Sequence, residues 1–528
     1  MGPEAISAGD LARSVLDYLA DHPSAALFED GHLLFDMRRA HYSLSDAHGR
    51  CLLQLWSDER NLIRTVIEVR ARAQCLRLLT RRMGAVKPQA LELVPSNDRR
   101  TPTARDAARR TYQRLLERVL TRAFRGSKLD GLRSAMDLEH SFGPAYLRGR
   151  LLRGTAADAV IGVSDAESAA TIDGILTLGI LWLDYCRRHG EGRRHFGGLK
   201  VIVPVGAWRT TAERMAWLNH TAADFQLFTL DPHSEELESV DFRDAGNLDS
   251  RLVHAFSSSA AIERRQAGVD RLMSLVPEGA RERVEICARS ASGVCLLLHG
   301  LEFAQVRYAA SSTSFARELE TTFGAGANET PLTPDNEPIC RDLFARLFQS
   351  RHPDGSHNDA LFRLQPERWL ESRLRTSVGE LLPHLRGDLF YTQVPALSCG
   401  DRGMLDLLTL DRDGRLAVLE LKADEDLHLP LQALDYWIRV RALNQDRRAG
   451  AGDSRPRSAF ERSGYFAGAE VSTHAPRLIL AAPALRIHPA NEPVLRSLSP
   501  EIEWELIALT EHWRRELKVV FRKRSPEA

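Results

Sequence analysis

The segment 406–426, DLLTLDRDGRLAVLELKADED, constrains the fold of this chain more than any other stretch. Its apolar runs LLTL and LAVLEL flank an Asp-Gly pair, a pattern typical of a β-hairpin. Because alternate residues of a strand point to the same face, Glu420 and Lys422 share a face, and the turn brings Asp406 close to Glu420. Charge that is buried without a partner is costly. The segment therefore predicts two carboxylates and one ammonium that converge at the end of a sheet.

The oxygen atoms of this predicted cluster suit a hard divalent cation. Mg²⁺ prefers about six oxygen ligands, typically one or two carboxylates together with water and substrate phosphates. We expect Asp406, Glu420 and the backbone carbonyl of Leu421 to supply the protein ligands for Mg²⁺ or Mn²⁺. We expect Lys422 to orient the attacking water or to offset charge on a scissile phosphate. The alternative is a Glu–Lys pair on a solvated sheet face, with no catalytic role.

The composition is that of a globular protein with room for several domains. The chain has 528 residues, of which 43% are hydrophobic and 27% charged, and this length suggests about three or four domains. The formal net charge is zero at pH 7, so nucleic-acid binding cannot be argued from the overall charge. The basic residues comprise six lysines and 65 arginines. A coding preference for arginine explains most of this bias, but it makes a lysine inside an apolar strand more unusual.

Several common sites are not predicted. The seven cysteines include no C-x-x-C pair and the histidines no H-x-x-x-H pattern, which argues against a zinc site or a disulfide framework. No Walker A sequence and no G-x-S-x-G elbow occurs. The longest apolar run, GILTLGILWL, has about half of the roughly 20 residues that a bilayer requires, and the N-terminus lacks the apolar core of a signal peptide. We therefore expect a cytoplasmic protein with no membrane segment.

The chain is predicted to be an α/β protein of several domains. Strand-like runs separated by turn residues favour a β-rich domain at 1–100, and a strand–helix–strand pattern favours an α/β domain at 105–240. A mixed α/β or β-rich domain is expected at 241–325. The run FGAGANETPLTPDNEP, rich in Gly, Pro and Asn, predicts a boundary before a C-terminal domain at 340–528.

The C-terminal domain resembles the PD-(D/E)XK nuclease superfamily. The resemblance lies in Asp406, followed after about a dozen residues by Glu-Leu-Lys at 420–422, within a predicted order of helix, strand, hairpin, helix and strand. The string L-A-V-L-E-L-K and a following helix with Gln432 and Tyr436 are similar to the catalytic domain of NucS-type endonucleases. The resemblance covers about 350–515 and implies a restriction-endonuclease-like αβββαβ core.

The same resemblance implies further site residues. Family members commonly carry a glutamate on the helix before the first strand. Glu371 is our choice for this glutamate, and it would bind a second metal or a water ligand of the metal. Glu367 and Glu380 are the alternatives. Gln432 matches the glutamine that follows the E-X-K strand in this branch and would position the lysine or the phosphate. One departure is Leu405, which stands where the superfamily name has proline.

For function, the resemblance implies Mg²⁺- or Mn²⁺-dependent hydrolysis of phosphodiester bonds in DNA, in repair, processing or defence. The alternative is a catalytically inactive protein that keeps the nuclease fold and binds nucleic acid or acts as a scaffold. The intact set of Asp406, Glu420 and Lys422 favours catalysis. The strandedness of the substrate, the choice between internal and terminal cleavage, and the formation of a homodimer are left open.

A second, degenerate copy of the same fold is predicted in the middle of the chain, at about 105–235. AVIGVSDAES at 159–168 aligns with AVLELKADED at 417–426, but Gly162 and Ser164 stand where the other segment has its Glu and Lys. Each segment is followed by a helix that contains Leu-Asp-Tyr. Such a copy would bind nucleic acid or dimerise without cutting. The alternative is chance similarity, since many β-α-β units look alike over ten residues.

Overall fold

The protein has a mixed α/β fold with several sheets, as the sequence predicted. As far as the structure describes it, the chain divides into two compact units: Met1–Trp182 with His189–Trp208 and Gln226–Val240, and Leu183–Arg188 with Arg209–Phe225 and Asp241–Ala528. The computed structural model describes residues 7–46, 49–57, 61–72, 74–82, 88–98, 100–137, 141–190, 194–244, 251–310, 317–326, 330–398, 401–449 and 455–526, with only the backbone at 103, 251, 309–310, 317, 393, 395–398 and 401–406.

The N-terminal sheet is antiparallel and is covered on one face by helix α1 (Ala8–Asp21). Its strands are β1 (Ala26–Glu29), β2 (His32–Asp36), β3 (His41–Ser45), β4 (Cys51–Trp56), β5 (Asn61–Arg72), β6 (Cys75–Arg81) and β7 (Gln89–Val94). Their order in the sheet is β2-β1-β7-β6-β5-β4-β3. Leu11, Val15 and Leu19 recur at helical spacing and pack α1 on the inward residues of the strands.

The middle sheet contains the predicted strand–helix–strand unit. The elements of this region are α2 (Pro102–Ala123), β8 (Lys128–Arg133), β9 (Tyr146–Arg153), β10 (Ala156–Val163), α3 (Ala169–Asp173), α4 (Ile175–His189), β11 (His195–Pro204), α5 (Arg209–Met215), β12 (Asp224–Asp231) and β13 (Glu236–Val240). The strand order is β13-β12-β11-β10-β9-β8, and β10 pairs with β11 in parallel. Parallel neighbours need a crossover connection, which α3 and α4 provide.

The third sheet follows in the chain. This region contains β14 (Arg251–Leu252), which belongs to the C-terminal sheet, and then α6 (Ser258–Glu263), α7 (Gln266–Leu275), β15 (Glu285–Ser290), β16 (Gly293–Leu298), β17 (Leu301–Ala310), β18 (Arg317–Phe323), β19 (Thr330–Pro331) and α8 (Glu337–Ser350). The strand order of the third sheet is β15-β16-β17-β18-β19. Phe344 and Leu347 of α8 pack into the core of this sheet. The core of the third sheet therefore continues beyond residue 325, the end predicted for this domain.

The C-terminal sheet has the order of elements that the sequence predicted: helix, strand, hairpin, helix, strand. They are α9 (Ala360–Arg363), α10 (Pro366–Leu381), β20 (Leu385–Ser398), β21 (Asp401–Asp411), β22 (Leu416–Leu421), α11 (Leu429–Gln445), α12 (Ala459–Arg462), β23 (Arg477–Pro483), α13 (Asn491–Arg496), β24 (Trp504–Leu509) and β25 (Val519–Arg524). The sheet order is β14-β20-β21-β22-β23-β24-β25.

Helices cover both faces of β22. On one face, Trp369, Leu370 and Leu374 of α10 share a core with Leu419 and Leu421. On the other, α11 packs against β22 and β23 and is apolar around most of its circumference. A strand enclosed on both faces is apolar throughout. This explains why the charged residues of LAVLELK stand out in the sequence.

The middle and C-terminal sheets share one succession of elements. In each, a long helix (α2 or α10) precedes three antiparallel strands, a crossover helix leads to a parallel fourth strand, and the last two strands are antiparallel. The orders β8-β9-β10-β11-β12-β13 and β20-β21-β22-β23-β24-β25 correspond strand by strand. The two sheets therefore share an order of six strands, and the C-terminal sheet has β14 as a further strand at its edge.

Among the described residues, one helical stretch, Ala169–His189, passes a length-and-hydropathy test for a membrane span, and 67% of its most apolar window is buried inside the protein. Core helices of soluble proteins pass the same test, so this stretch is consistent with a soluble protein. A cytoplasmic location stays a prediction.

Candidate active site at the C-terminal hairpin

Strands β21 and β22 form the predicted hairpin. The register pairs Leu407 with Leu419. At the turn, Gly414 adopts a φ of 76°, which residues with a Cβ atom rarely adopt. Asp411 fixes the turn, because its Oδ1 atom accepts a hydrogen bond of 2.8 Å from the backbone N–H of Arg415. The turn thus sets which residues of the two strands face each other.

Glu420 is a buried acid near the end of β22. The residue is only 3% exposed, and β22 pairs with β23 on its other edge, where Leu480 lies opposite Glu420. Since Leu419 and Leu421 point into the core beneath α10, strand alternation places Glu420 on the other face. A carboxylate so well shielded from water depends on compensating positive charge or hydrogen-bond donors.

Lys422, the first residue after β22, supplies positive charge at this point. Its backbone N–H donates to the carbonyl of Ala481 on β23, so the ladder holds it in place. Its Nζ atom lies 3.9 Å from Glu420 Oε1, 3.6 Å from Glu367 Oε1 and 3.8 Å from Asp426 Oδ2. Lys422 therefore lies within 4 Å of three carboxylates.

Asp406 lies in β21, but its side chain is outside the described part of the structure. Its backbone position follows from the hairpin register. Leu407 pairs with Leu419, and the same register continued by one residue aligns Asp406 with Glu420. The proximity of the two carboxylates stays a prediction.

The acids of α10 occupy different surroundings. Glu367, an alternative in the sequence prediction, forms the ion pair with Lys422. Glu371, the first choice, lies one turn further along, forms an ion pair of 2.8 Å with Arg368 and lines a cavity of about 580 Å³. Glu380 is exposed near the end of the helix. Of these acids, Glu367 has a recorded contact with the lysine of the E-X-K motif.

Asp426 is a candidate that sequence reasoning missed. It follows Lys422 by four residues, in the acidic run that comes directly after the E-X-K strand, and this run was the available signal. Its Oδ1 atom accepts a hydrogen bond of 2.7 Å from the backbone N–H of His428. Burial lowers the pKa of His428 below its usual value, so this imidazole is neutral near pH 7. The predicted Gln432 is half-buried in the first turn of α11.

The residue of the middle sheet that aligns with Glu420 in sequence packs against the first helix of that sheet. Gly162, aligned with Glu420, lies opposite Leu147 on β9. A Cβ atom at Gly162 would lie 2.8 Å from Leu116 Cδ2 and 3.1 Å from Tyr112 Oη, both on α2. Burial raises the pKa of the Tyr112 hydroxyl far above its usual value, so this group stays neutral. Gly162 therefore faces α2, the first helix of its sheet, whereas Glu420 faces away from α10, so the aligned residues lie on opposite faces of their sheets.

The Leu-Asp-Tyr motifs on the two crossover helices make different contacts. Asp184 on α4 pairs with Arg188 within the same helix, at 2.9 Å. Asp435 on α11 accepts two hydrogen bonds, of 2.7 and 2.8 Å, from Arg214 of α5. The shared motif thus occupies equivalent helices but does not form an equivalent interaction.

The donor set suits the divalent cation that the resemblance implies. Glu420, Glu367 and Asp426 offer carboxylate oxygens, the ligand type that Mg²⁺ and Mn²⁺ prefer, and Leu421 offers a carbonyl beside them. Within the described ranges, no group of three or more His, Cys, Asp or Glu side chains is arranged to hold a metal ion. The side chain of Asp406 lies outside those ranges. The described residues fit a hard cation in chemistry, without defining a complete coordination sphere.

No protein-family model matches this chain, and no curated protein sequence matches it significantly.

Proposed function

We propose that this protein is a metal-dependent nuclease that hydrolyses phosphodiester bonds in DNA, with its site at the C-terminal hairpin. The observation that carries the proposal is the placement of Lys422 among the carboxylates of Glu367, Glu420 and Asp426. The resemblance to the PD-(D/E)XK superfamily supports the same reading, as does the order of helix, strand, hairpin, helix and strand around it.

In this proposal each residue has a distinct role. Asp406, Glu420 and the carbonyl of Leu421 would hold Mg²⁺ or Mn²⁺, which supplies Lewis-acid stabilisation of charge on the phosphate and activates water. Lys422 donates hydrogen bonds to the attacking water or to a phosphate oxygen as charge develops there. Glu367 and Asp426 keep the ammonium at the end of the strand.

The test uses isosteric variants of the full chain. Glu420→Gln and Lys422→Met remove one charge each with little change of volume, and Glu425→Gln, whose side chain is 48% exposed, is the matched control. A panel of duplex, single-stranded, mismatched and branched DNA, with RNA counterparts, is offered with Mg²⁺, Mn²⁺ or EDTA. We expect cleavage by the wild type and the control, and a loss of roughly 10²-fold or more in both site variants, as for other electrostatic catalytic groups.

Binding of the same oligonucleotides in EDTA, followed by fluorescence anisotropy, separates catalysis from affinity. We expect Glu420→Gln and Lys422→Met to bind as the wild type does. If the wild type cleaves no member of the panel with either metal, but binds in a salt-dependent manner, the inactive nucleic-acid-binding scaffold replaces the nuclease. Equal cleavage by wild type and site variants would show that the chemistry lies elsewhere.

A further inference from the structure

Helix α2 carries a stripe of arginines on its exposed side. Arg110, Arg114, Arg118 and Arg122 follow one another at intervals of four residues, and each is exposed. Residues four apart lie on the same side of a helix. At 1.5 Å per residue, successive members stand about 6 Å apart along the axis and the stripe covers about 18 Å. We refer to these four residues as the arginine stripe.

The stripe is not explained by the preference of this chain for arginine. That preference accounts for arginine in place of lysine, but over the whole chain basic and acidic residues are equal at 71 each. Helix α2 departs from this balance, because it has six arginines against Asp106 and Glu117. Its counterpart α10 carries equal numbers, with arginines at 368, 373 and 375 and glutamates at 367, 371 and 380.

The stripe is also electrostatically unfavourable by itself. Like charges at i and i+4 destabilise a helix, and the stripe contains three such neighbouring pairs in succession. Arg110 and Arg114 form no hydrogen bond or ion pair with any described residue. Arg118 and Arg122 approach Glu235 in the turn before β13, yet their side chains stay 60% and 56% exposed. Glu235 thus pairs with both Arg118 and Arg122. Arg110 and Arg114 have no such partner among the described residues.

The geometry points to the phosphate backbone of nucleic acid as the partner of this stripe, and we infer that α2 is a phosphate-binding surface of the middle domain. A strand of duplex DNA carries one phosphate per 3.4 Å of axis, so about 18 Å of helix faces about five phosphates. Arginine donates in a fork that matches phosphate oxygens. The aligned segment of this domain has Gly162 and Ser164 where the C-terminal domain has Glu420 and Lys422, so this domain would hold nucleic acid without cutting it.

This inference rests on the proposed function for its choice of nucleic acid, but its test does not depend on cleavage. The full chain and the variant Arg110→Gln/Arg114→Gln are titrated with a fluorescent duplex in EDTA, from 50 to 200 mM salt. The control is Arg13→Gln/Arg346→Gln, which removes two charges from other helices at side chains 74% and 70% exposed. Circular dichroism checks that both variants are folded.

Each phosphate contact contributes about 0.9 to the slope of log affinity against log salt. We expect the slope of the stripe variant to be smaller in magnitude by about 1.8. Between 50 and 200 mM salt, its affinity should therefore fall by a factor about 12-fold smaller than the factor for the wild type. The control should keep the wild-type slope. An unchanged slope in the stripe variant, or an equal decrease in the control, would overturn the inference.

A competition experiment distinguishes nucleic acid from any polyanion. Polyglutamate of matched charge is added to the complex of the wild type with the duplex, and we expect it to displace the duplex at least tenfold less well than unlabelled DNA does. Equal displacement would overturn the assignment to nucleic acid. If the salt slope depends on the arginine stripe but the protein cleaves no substrate, this inference holds and the proposed nuclease activity is wrong.

Discussion

At the scale of single residues, the environment of Lys422 follows from where β22 ends. The strand stops at Leu421, so the lysine side chain leaves the apolar layer just where Glu367 and Asp426 approach it. Glu420, two residues earlier, remains inside the sheet. Two residues that are neighbours on one strand face therefore differ in exposure, with the ammonium nearer to solvent and the acid beneath it.

His299 provides a prediction about pH at this scale. Its ring stacks on Trp369 of α10 at 4.7 Å, and burial lowers the pKa of His299 to about 4. The unfolded chain, with a histidine pKa of about 6.5, binds a proton first as the pH falls, so the free energy of unfolding decreases below that pH. Between pH 7.5 and 4.5 we expect this histidine to contribute a loss of roughly 2 kcal/mol.

Urea unfolding of His299→Asn checks this expectation, since asparagine tolerates the φ of 47° at this position. Between the two pH values, the free energy of unfolding of the variant should decrease by roughly 2 kcal/mol less than that of the wild type. His512→Asn, an exposed position, should behave as the wild type. The same pH dependence in all three proteins would assign the effect to other groups.

At the scale of elements, the hairpin depends on its turn. Gly414 has a positive φ, and a Cβ atom there would lie 2.4 Å from the backbone carbonyl oxygen of Glu470. The backbone N–H of Ser472 in turn donates to the carbonyl of Gly414. The turn is therefore packed against a neighbouring loop as well as bent. Any shift of the turn would change the register that aligns the positions of Asp406 and Glu420.

The variant Gly414→Ala tests this dependence against Gly468→Ala. Gly468 also has a positive φ, of 80°, but a Cβ atom there meets nothing within 4 Å. We expect Gly468→Ala to cost about 1 kcal/mol from the backbone conformation alone, and Gly414→Ala roughly 2 kcal/mol more from the close contact. Thermal unfolding of both proteins measures the difference. Equal decreases in the free energy of unfolding of the two variants would mean that the loop at Glu470 shifts to accommodate the added Cβ atom.

At the scale of the whole molecule, the middle and C-terminal sheets differ in the residues that they carry at the aligned positions. The C-terminal sheet carries buried and half-buried charge at the end of β22. The middle sheet carries Gly162 at the aligned position, with Tyr112 and Leu116 of α2 packed against it. The first helix of the middle sheet packs directly on Gly162, whereas Glu420 lies on the face of its sheet away from α10. A glutamate at Gly162 would therefore have no room.

This difference predicts that the second site cannot be restored by substitution. Gly162→Glu/Ser164→Lys would give the middle sheet the E-X-K pattern, but the new glutamate would collide with Leu116 and place charge in a sealed core. We expect a loss of roughly 3 kcal/mol or more in the free energy of unfolding, with no gain of cleavage. Gly126→Glu, at an exposed glycine with nothing within 4 Å of its added Cβ atom, should change little. Stable folding of the double variant would contradict the closed packing.

The sequence by itself determined the local elements of the C-terminal domain. The Asp-Gly turn, the apolar run on β22 and the helices before and after the hairpin follow from chemistry within a few residues, and the structure has each of them. A repeat was predicted from the aligned apolar segments, with chance similarity as the alternative. Local pattern is sufficient here, since hydrogen bonds and burial of a single element depend mainly on its own residues.

Only the tertiary structure decided which distant side chains meet. The choice of Glu367 over Glu371 beside Lys422 depends on the rotation of α10 against the sheet, which a helical pattern with glutamates at both positions does not specify. The fold also decided that Gly162 faces the first helix of its sheet, whereas Glu420 faces away from α10. Helix rotation and approach are set by the packing of many side chains at once, and no short stretch of sequence contains that information.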